Sequence, residues 1–357
     1  MQIKAQLSVT SSDYDSLQQR CCECRATLKL LEQLVQVVDG LNSVQKLTAS
    51  QSYIEATRIH ASVHDILADI NRAHGRDVAV FKCLVSKHTA LTEKLQTCVV
   101  GRWMEMVTWS GFPSILTLAS GPDAHQELQQ LSQSAHNLGC LSSLVAKCAG
   151  QVMSQFVDKL LLDTEPFVFD IKQDASSVSL SVKVVTTLVQ SGVARTLQQL
   201  EMFTLLMETL YHNLLNITVT DEVAAVGVKS SGDVKSSWSL MSAFGEECSS
   251  VCLERLISHC LSAAVPSSRS ELPQFSHVTA AVEDLQTKLV AYSFISEDNK
   301  VMMDYVKNVD VLFTNKRCVE LLDEARRLIK SNMHNIVQVT CRVISATGNL
   351  GQMPMTG

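Results

Sequence analysis

Apolar residues recur at Leu17, Cys21, Cys24, Leu28, Leu31, Val35 and Val38 in alternating steps of four and three, a spacing that only an α-helix gathers onto one face. Three heptads of this kind describe a helix-pairing seam, so the chain must fold into elements that bury helical stripes. Such a stripe has two readings, the core of its own chain by default or a face that accepts a partner's helix. The phase changes at Asp39-Gly40, where Leu41, Val44 and Leu47 begin a new register. Glycine weakens a helix interior, so a break is predicted there. A turn follows at Thr48-Ala49-Ser50-Gln51-Ser52.

Charged residues make up 18% of the 357 and apolar ones 46%, against ~25% charged in an average globular chain. A long solvated two-stranded coil is therefore excluded, and the helices bury more than one face. A net charge of −6 offers no basic footprint, so no direct nucleic-acid contact is expected. No window reaches the ~20 apolar residues of a membrane span, and the first residues lack a signal-peptide pattern. Together these predict no membrane insertion and a cytoplasmic location. The twelve cysteines are scattered, many at apolar helical positions, as reduced thiols rather than a disulfide framework.

Further stripes run through Ala56, Ile59, Val63, Ile66 and Ile70, and through Phe81, Leu84, His88, Leu91, Leu95 and Cys98. They predict antiparallel helices in a segment over 1–113, the third continuing through Trp103 and Trp109 to end near Pro113. Over 114–217 a middle helical region is expected, with an amphipathic stretch from Glu127 to Leu162. A β-hairpin near 167–184 is predicted as the only sheet, from the alternation of Phe167, Phe169, Ile171 and Val178, Leu180, Val182. The stretch 218–237 is too poor in large apolar groups to repay ordering and reads as a flexible loop. A second helical block follows over 238–340, including one helix from Met302 to Phe313, a turn at Thr314-Asn315-Lys316, and a helix on Cys318, Leu321, Ala325 and Leu328. The tail 341–357 is expected to be disordered. The fold class is mostly α, an elongated multi-helix bundle with one small β-hairpin.

No nucleophile elbow, phosphate-cradling glycine loop, dinucleotide fingerprint or His-Glu-x-x-His helix occurs. The expectation is no enzyme, no cofactor and no catalytic residue. His60 and His64 have the spacing by which two imidazoles share a metal, but two ligands fall short of a stable site. Surface histidines and buried thiols are the simpler expectation. A metal- or redox-responsive regulator using Cys21, Cys22, Cys24, His60 and His64 is kept as an alternative from a different class. His88, inside an apolar stripe, reads as a hydrogen-bonded core histidine. Lys316-Arg317, Arg326-Arg327 and Lys330 read as a solvated cationic face.

Two ordered sets of strings carry a more specific signal. The first is Leu30-Leu31-Glu32-Gln33-Leu34, Tyr53-Ile54-Glu55-Ala56, then Leu91-Thr92-Glu93-Lys94 leading to Trp103 and Trp109-Ser110-Gly111-Phe112-Pro113. The second is Tyr305-Val306-Lys307-Asn308-Val309, Phe313-Thr314-Asn315-Lys316-Arg317-Cys318, Glu324-Ala325-Arg326-Arg327-Leu328 and Met333-His334-Asn335-Ile336-Val337. In this order they resemble the zeste-white-ten family over most of residues 10 to 340. The resemblance implies an elongated fold of the tethering-complex type, like exocyst and COG subunits, and transfers no active site. It also implies two settings for a non-catalytic scaffold. With Rod and Zwilch it would sit at mitotic kinetochores, in the spindle checkpoint and in dynein/dynactin recruitment. In interphase it would be peripheral at the endoplasmic reticulum, with tether subunits and SNAREs, in Golgi-to-ER traffic. Family members carry further helices before residue 1 and after residue 357, so a fragment or short isoform is expected. A generic helical adaptor of another tether or cytoskeletal assembly is the remaining alternative.

Overall fold

The structure, a computed structural model, describes residues 2–74, 79–111, 114–162, 167–184, 192–220 and 237–332. Three long helices come first: α1 (Gln2–Ala49), α2 (Tyr53–His74) and α3 (Ala79–Met106). The predicted break at Gly40 is absent, because α1 runs straight through it. Glycine is needed there for a different reason, since a Cβ on Gly40 would lie 2.4 Å from Val63 Cγ2 on α2. The turn after α1 forms where predicted. Ser52 N–H donates to Leu47 O and Gln51 N–H to Thr48 O, the paired bonds of a Schellman ending, with Gln51 itself at φ 61°.

α3 passes directly into β1 (Val107–Ser110), which pairs antiparallel with β2 (Ile115–Ala119). The helix predicted to run on to Pro113 therefore stops at Met106. The predicted hairpin is present as β3 (Phe167–Gln173) and β4 (Ser177–Val184), but it is not alone. β2 also pairs with β4, giving a four-stranded antiparallel sheet in the order β1-β2-β4-β3. A bare hairpin is marginal in water, and recruiting β1 and β2 supplies the missing neighbours. Leu116, Leu118, Phe169, Val178 and Leu180 are buried, and Phe156 packs its ring between Trp109 and Phe169.

α4 (Pro122–Asn137) starts with proline in its first turn, where the missing N–H is harmless. It ends in a Schellman motif, with Cys140 N–H donating to Ala135 O and Gly139 at φ 69°. α5 (Leu141–Val152) continues through a π-helical turn, Met153–Val157, into α6 (Asp158–Leu162). After β4 come α7 (Val193–Leu210) and a second π turn, Tyr211–Leu215. β5 (Thr218–Thr220) and β6 (Ser237–Ser239) then form a two-stranded ribbon. Both ends of the predicted flexible loop are thus ordered, and 221–236 lies outside the described residues, as does the tail.

Ser239 caps α8 (Leu240–Arg255) by accepting from Ser242 N–H, and a third π turn, Leu256–Leu261, runs into the short α9 (Ser262–Ala264). α10 (Leu272–Ala291), α11 (Val301–Lys307) and α12 (Val309–Asn332) complete the described chain. The break between the last two lies at Asn308, not at the predicted Thr314-Asn315-Lys316, which is interior to α12. One core joins residues from α1 to α11, on both sides of the boundaries drawn at 113/114 and across 218–237, while a smaller cluster of Val37, Leu41, Val63, Leu67, Ile70, Phe81, Leu84 and Leu91 holds the α1–α3 hairpins.

α8 packs on α5 and α7 on α10. The tightest approach in this body sets Gly245 of α8 against the chain leaving α10. A Cβ at 245 would sit 2.1 Å from the carbonyl oxygen of Phe294, which is backbone and cannot turn aside. That carbonyl is held by another Schellman ending, in which Phe294 N–H donates to Leu289 O and Ser293 occupies φ 62°. Gly245→Ala is expected to lower unfolding free energy by about 2–3 kcal/mol, measured by chemical denaturation. Ser293→Gly is expected to raise it by about 0.5–1 kcal/mol, because glycine adopts the left-handed conformation without Cβ strain.

Candidate functional site

The residues of the predicted seam are all exposed. Leu17 and Leu28 are 59% exposed, Leu31 53%, Val35 59% and Val38 39%, and Cys21 and Cys24 lie open beside them. The core reading of this stripe is therefore corrected. α1 packs on its own chain through an adjacent face, Leu30, Leu34, Val37, Leu41, Val44 and Thr48, which repeats the same spacing one residue earlier. Two heptad faces thus lie side by side on one helix. Composition could not tell which of the two the chain would use for itself, since both are apolar and both have the same period.

The hairpin partner covers only part of α1. Asp69, Arg72 and Ala73 near the end of α2 face Ala26, Lys29, Leu30 and Gln33 of α1 across a shallow cleft. Residues 2–25 project beyond that point, about 36 Å of helix at 1.5 Å per residue. A lone helix of this length is marginal in water. The arrangement can bind a helix along α1, and covering five exposed aliphatic side chains of ~1.5–3 kcal/mol each when fully buried offsets part of the cost of association.

The alternative cluster does not assemble. His60 lies level with Gly40, whose neighbours are Ile59 and Val63, and Cys24 lies sixteen residues away along α1, about 24 Å. Among the described residues no group of three or more histidine, cysteine or acidic side chains is arranged to hold a metal. The expectation of buried thiols divides: Cys21, Cys22, Cys24, Cys83 and Cys318 are exposed, whereas Cys148, Cys248, Cys252 and Cys260 are buried. Burial pushes Cys148, Cys248 and Cys260 up to about 12 and Cys252 further in the same direction, so these act as small apolar groups. The expected cationic face divides: Arg326 and Arg327 are exposed and paired to Asp323 and Glu324 one turn away, whereas Lys316 is half-buried and donates to Val265 O.

What sequence spacing missed is a three-histidine contact across α2 and α3. His60 and His88 stack with centroids 4.3 Å apart, and His64 lies 5.6 Å from His88. His88 is buried as expected, but its Nε2 has no hydrogen-bond partner. Thr92 donates its hydroxyl to His88 O, so His60 Nε2, 2.7 Å from Thr92 Oγ1, is the donor of that second bond. Desolvation first, then the His88 and His64 charges, hold His60 down at about 4; desolvation and His64 lower His88. The only sequence signal was that His60 and His64 flank the stripe of α2 while His88 lies within the stripe of the neighbouring antiparallel α3.

With these faces in place, comparison with known proteins decides the family. The profile of the middle domain of centromere/kinetochore protein zw10 matches residues 119–329, more than half of the chain. The chain belongs to the zw10 family. It is similar to the centromere/kinetochore protein zw10 homologs of Rattus norvegicus, 22% identical over 349 residues, and Mus musculus, 22% identical over 350. Each alignment covers 93% of this chain and 44% of the relative, so the chain spans under half the length of the relatives it matches. The zw10 profile begins at the end of β2, which places α1, α2 and α3, with the exposed stripe, outside the matched domain.

The histidine contact yields a pH dependence. In the folded chain His60 titrates near 4, below the ordinary 6.5, so the unfolded chain binds more protons between those values. Stability is then at its full value above pH 6.5 and is lost as pH falls toward 4. His60→Gln is expected to flatten this part of the stability profile while leaving the carboxylate part below pH 4 in place, measured by urea unfolding across pH 4–7.

Proposed function

We propose that this chain is a non-catalytic scaffold of the zw10 type, which joins its assembly through the exposed stripe Leu17, Cys21, Cys24, Leu28, Leu31, Val35 and Val38. The observation that carries the reading is the exposure of an uninterrupted heptad series on a helix that already uses its neighbouring face for its own core. Affinity comes from burying apolar side chains, and no bond is made or broken. No helix among the described residues is long and apolar enough to cross a membrane, which suits a subunit held by other proteins.

The names of the relatives place those proteins at the centromere and kinetochore, and their name supports a kinetochore role for this chain. The finer reading is assembly with Rod and Zwilch in mitosis, with indirect dynein/dynactin recruitment and a checkpoint role. In interphase the same scaffold would serve an endoplasmic-reticulum tether with SNAREs in Golgi-to-ER traffic. Its location would then be cytoplasmic, kinetochore-bound in mitosis and peripheral at the reticulum otherwise.

Tagged chain purified from mitotically arrested cells is expected to carry kinetochore subunits, and from interphase cells tether subunits, identified by mass spectrometry. Leu28→Glu with Leu31→Glu should reduce that recovery at least tenfold without moving the thermal midpoint, because neither side chain packs on the chain's own core. Unchanged recovery by the double variant would remove the stripe from the interface, and recovery of neither set would remove the scaffold assignment.

A further inference from the structure

The charges beside the stripe have an order that its apolar residues do not reveal. Along the flank turned away from the chain's own hairpin run Gln18, Arg25, Glu32 and Asp39, all exposed, and among the described residues Arg25, Glu32 and Asp39 make no side-chain ion pair. Taking Leu17, Cys24, Leu31 and Val38 as d positions and Cys21, Leu28 and Val35 as a positions, these four occupy e. The flank is basic toward the free end and acidic toward the clamped end. A partner helix laid antiparallel on it must therefore present acid first and base second, in the order this chain itself presents when reversed.

We propose that the stripe's occupant is a second copy of this chain, paired antiparallel through α1. The proposal rests on the reading of the stripe as a pairing seam and names what fills it. One register pairs six of the seven stripe residues and both flanks, leaving Leu17 at each end opposite Asn42. Leu28 meets Leu31 of the second copy at the centre, Cys24 meets Val35, and Cys21 meets Val38, each twice by the two-fold axis. In antiparallel coils e faces e, so Arg25 of each copy lies beside Glu32 of the other, and Gln18 beside Asp39. Sliding by one heptad in one direction sets Arg25 against Arg25, and in the other Glu32 against Glu32. A parallel pair brings Arg20, at g, against Arg25, again like charges.

The antiparallel arrangement also explains the projecting half of α1. Residues 10–25 of each free half lie along residues 34–49 of the other copy's α1, the part clamped by α2 and α3, so a rigid surface supports each marginal helix. The two bodies then sit toward opposite ends of the shared rod. Narrow cysteine layers opposite valine keep the helices close, while the leucine layers at the centre bury the largest side chains.

The test uses the whole chain. Light scattering on a sizing column is expected to give twice 39.2 kDa at tens of micromolar, and the monomer mass for Leu28→Glu with Leu31→Glu. Arg25→Glu alone and Glu32→Arg alone should each weaken dimerisation about five- to tenfold, and the two together should restore it to within twofold of the original. Val35→Cys should form a disulfide between residue 35 and Cys24 of the other copy under mild oxidation, found as a cross-linked peptide by mass spectrometry. A monomer at 100 micromolar, a Cys24-to-Cys24 cross-link in the unaltered chain, or a double swap no better than its singles would each overturn the proposal. A monomer whose leucine variant still loses its cellular partners would remove self-pairing and leave the docking seam standing. A dimer that recovers no kinetochore or tether subunit would do the reverse.

Discussion

The body of this protein is organised by α8, and α8 is held by contact with backbone rather than side chain. Gly245 meets the Phe294 carbonyl with no room for a methyl group, and one residue earlier Phe244 sets its ring 6.0 Å from that of Phe294. The same face of α8 carries Cys248 and Cys252, which are buried in one core cluster with Cys148 of α5, on which α8 packs. Its start is fixed by the Ser239 cap at the end of β6, and its end by the Arg255–Asp158 ion pair to α6. Because a carbonyl on a tight turn cannot repack, the α8–α10 spacing is set once and the remaining helices adjust to it.

Interior and projecting parts differ in what their polar groups do. In the body, buried side chains such as Thr196 and Gln199 bond to Cys260 O and Leu160 O, closing helix ends that would otherwise leave carbonyls without partners. Each sits where a π turn or short helix interrupts the regular ladder. On α1, Thr27 bonds back to Glu23 O and Ser43 to Asp39 O, while Asn42 accepts from Lys87 of α3.

Much of the fold was legible because most helices are long and their stripes unbroken: α2, α3 and α10 follow the spacing of their apolar residues closely. Errors gathered where one residue type serves two ends. Gly40 reads as a helix breaker, but it is a contact glycine whose meaning depends on Val63 thirteen residues after the chain has reversed. Val107–Ser110 reads as helix because the apolar pattern of α3 continues into it, and only pairing with Ile115–Ala119 makes it a strand. The turn-like Thr314-Asn315-Lys316 is helical because Asn308, bonded to Asp304 O, had already supplied the break. The seam itself was visible as a period and invisible as a direction: Leu31 and Leu34 have the same chemistry, and only the position of α2 decides which one faces water.

Continuity through Gly40 also makes α1 a mechanical element. A single uninterrupted helix spans the clamp formed by α2 and α3 and the free half beyond it, so the two move as one rod. A displacement of the part outside the clamp is therefore carried to the Gly40–Val63 crossing with no hinge between them.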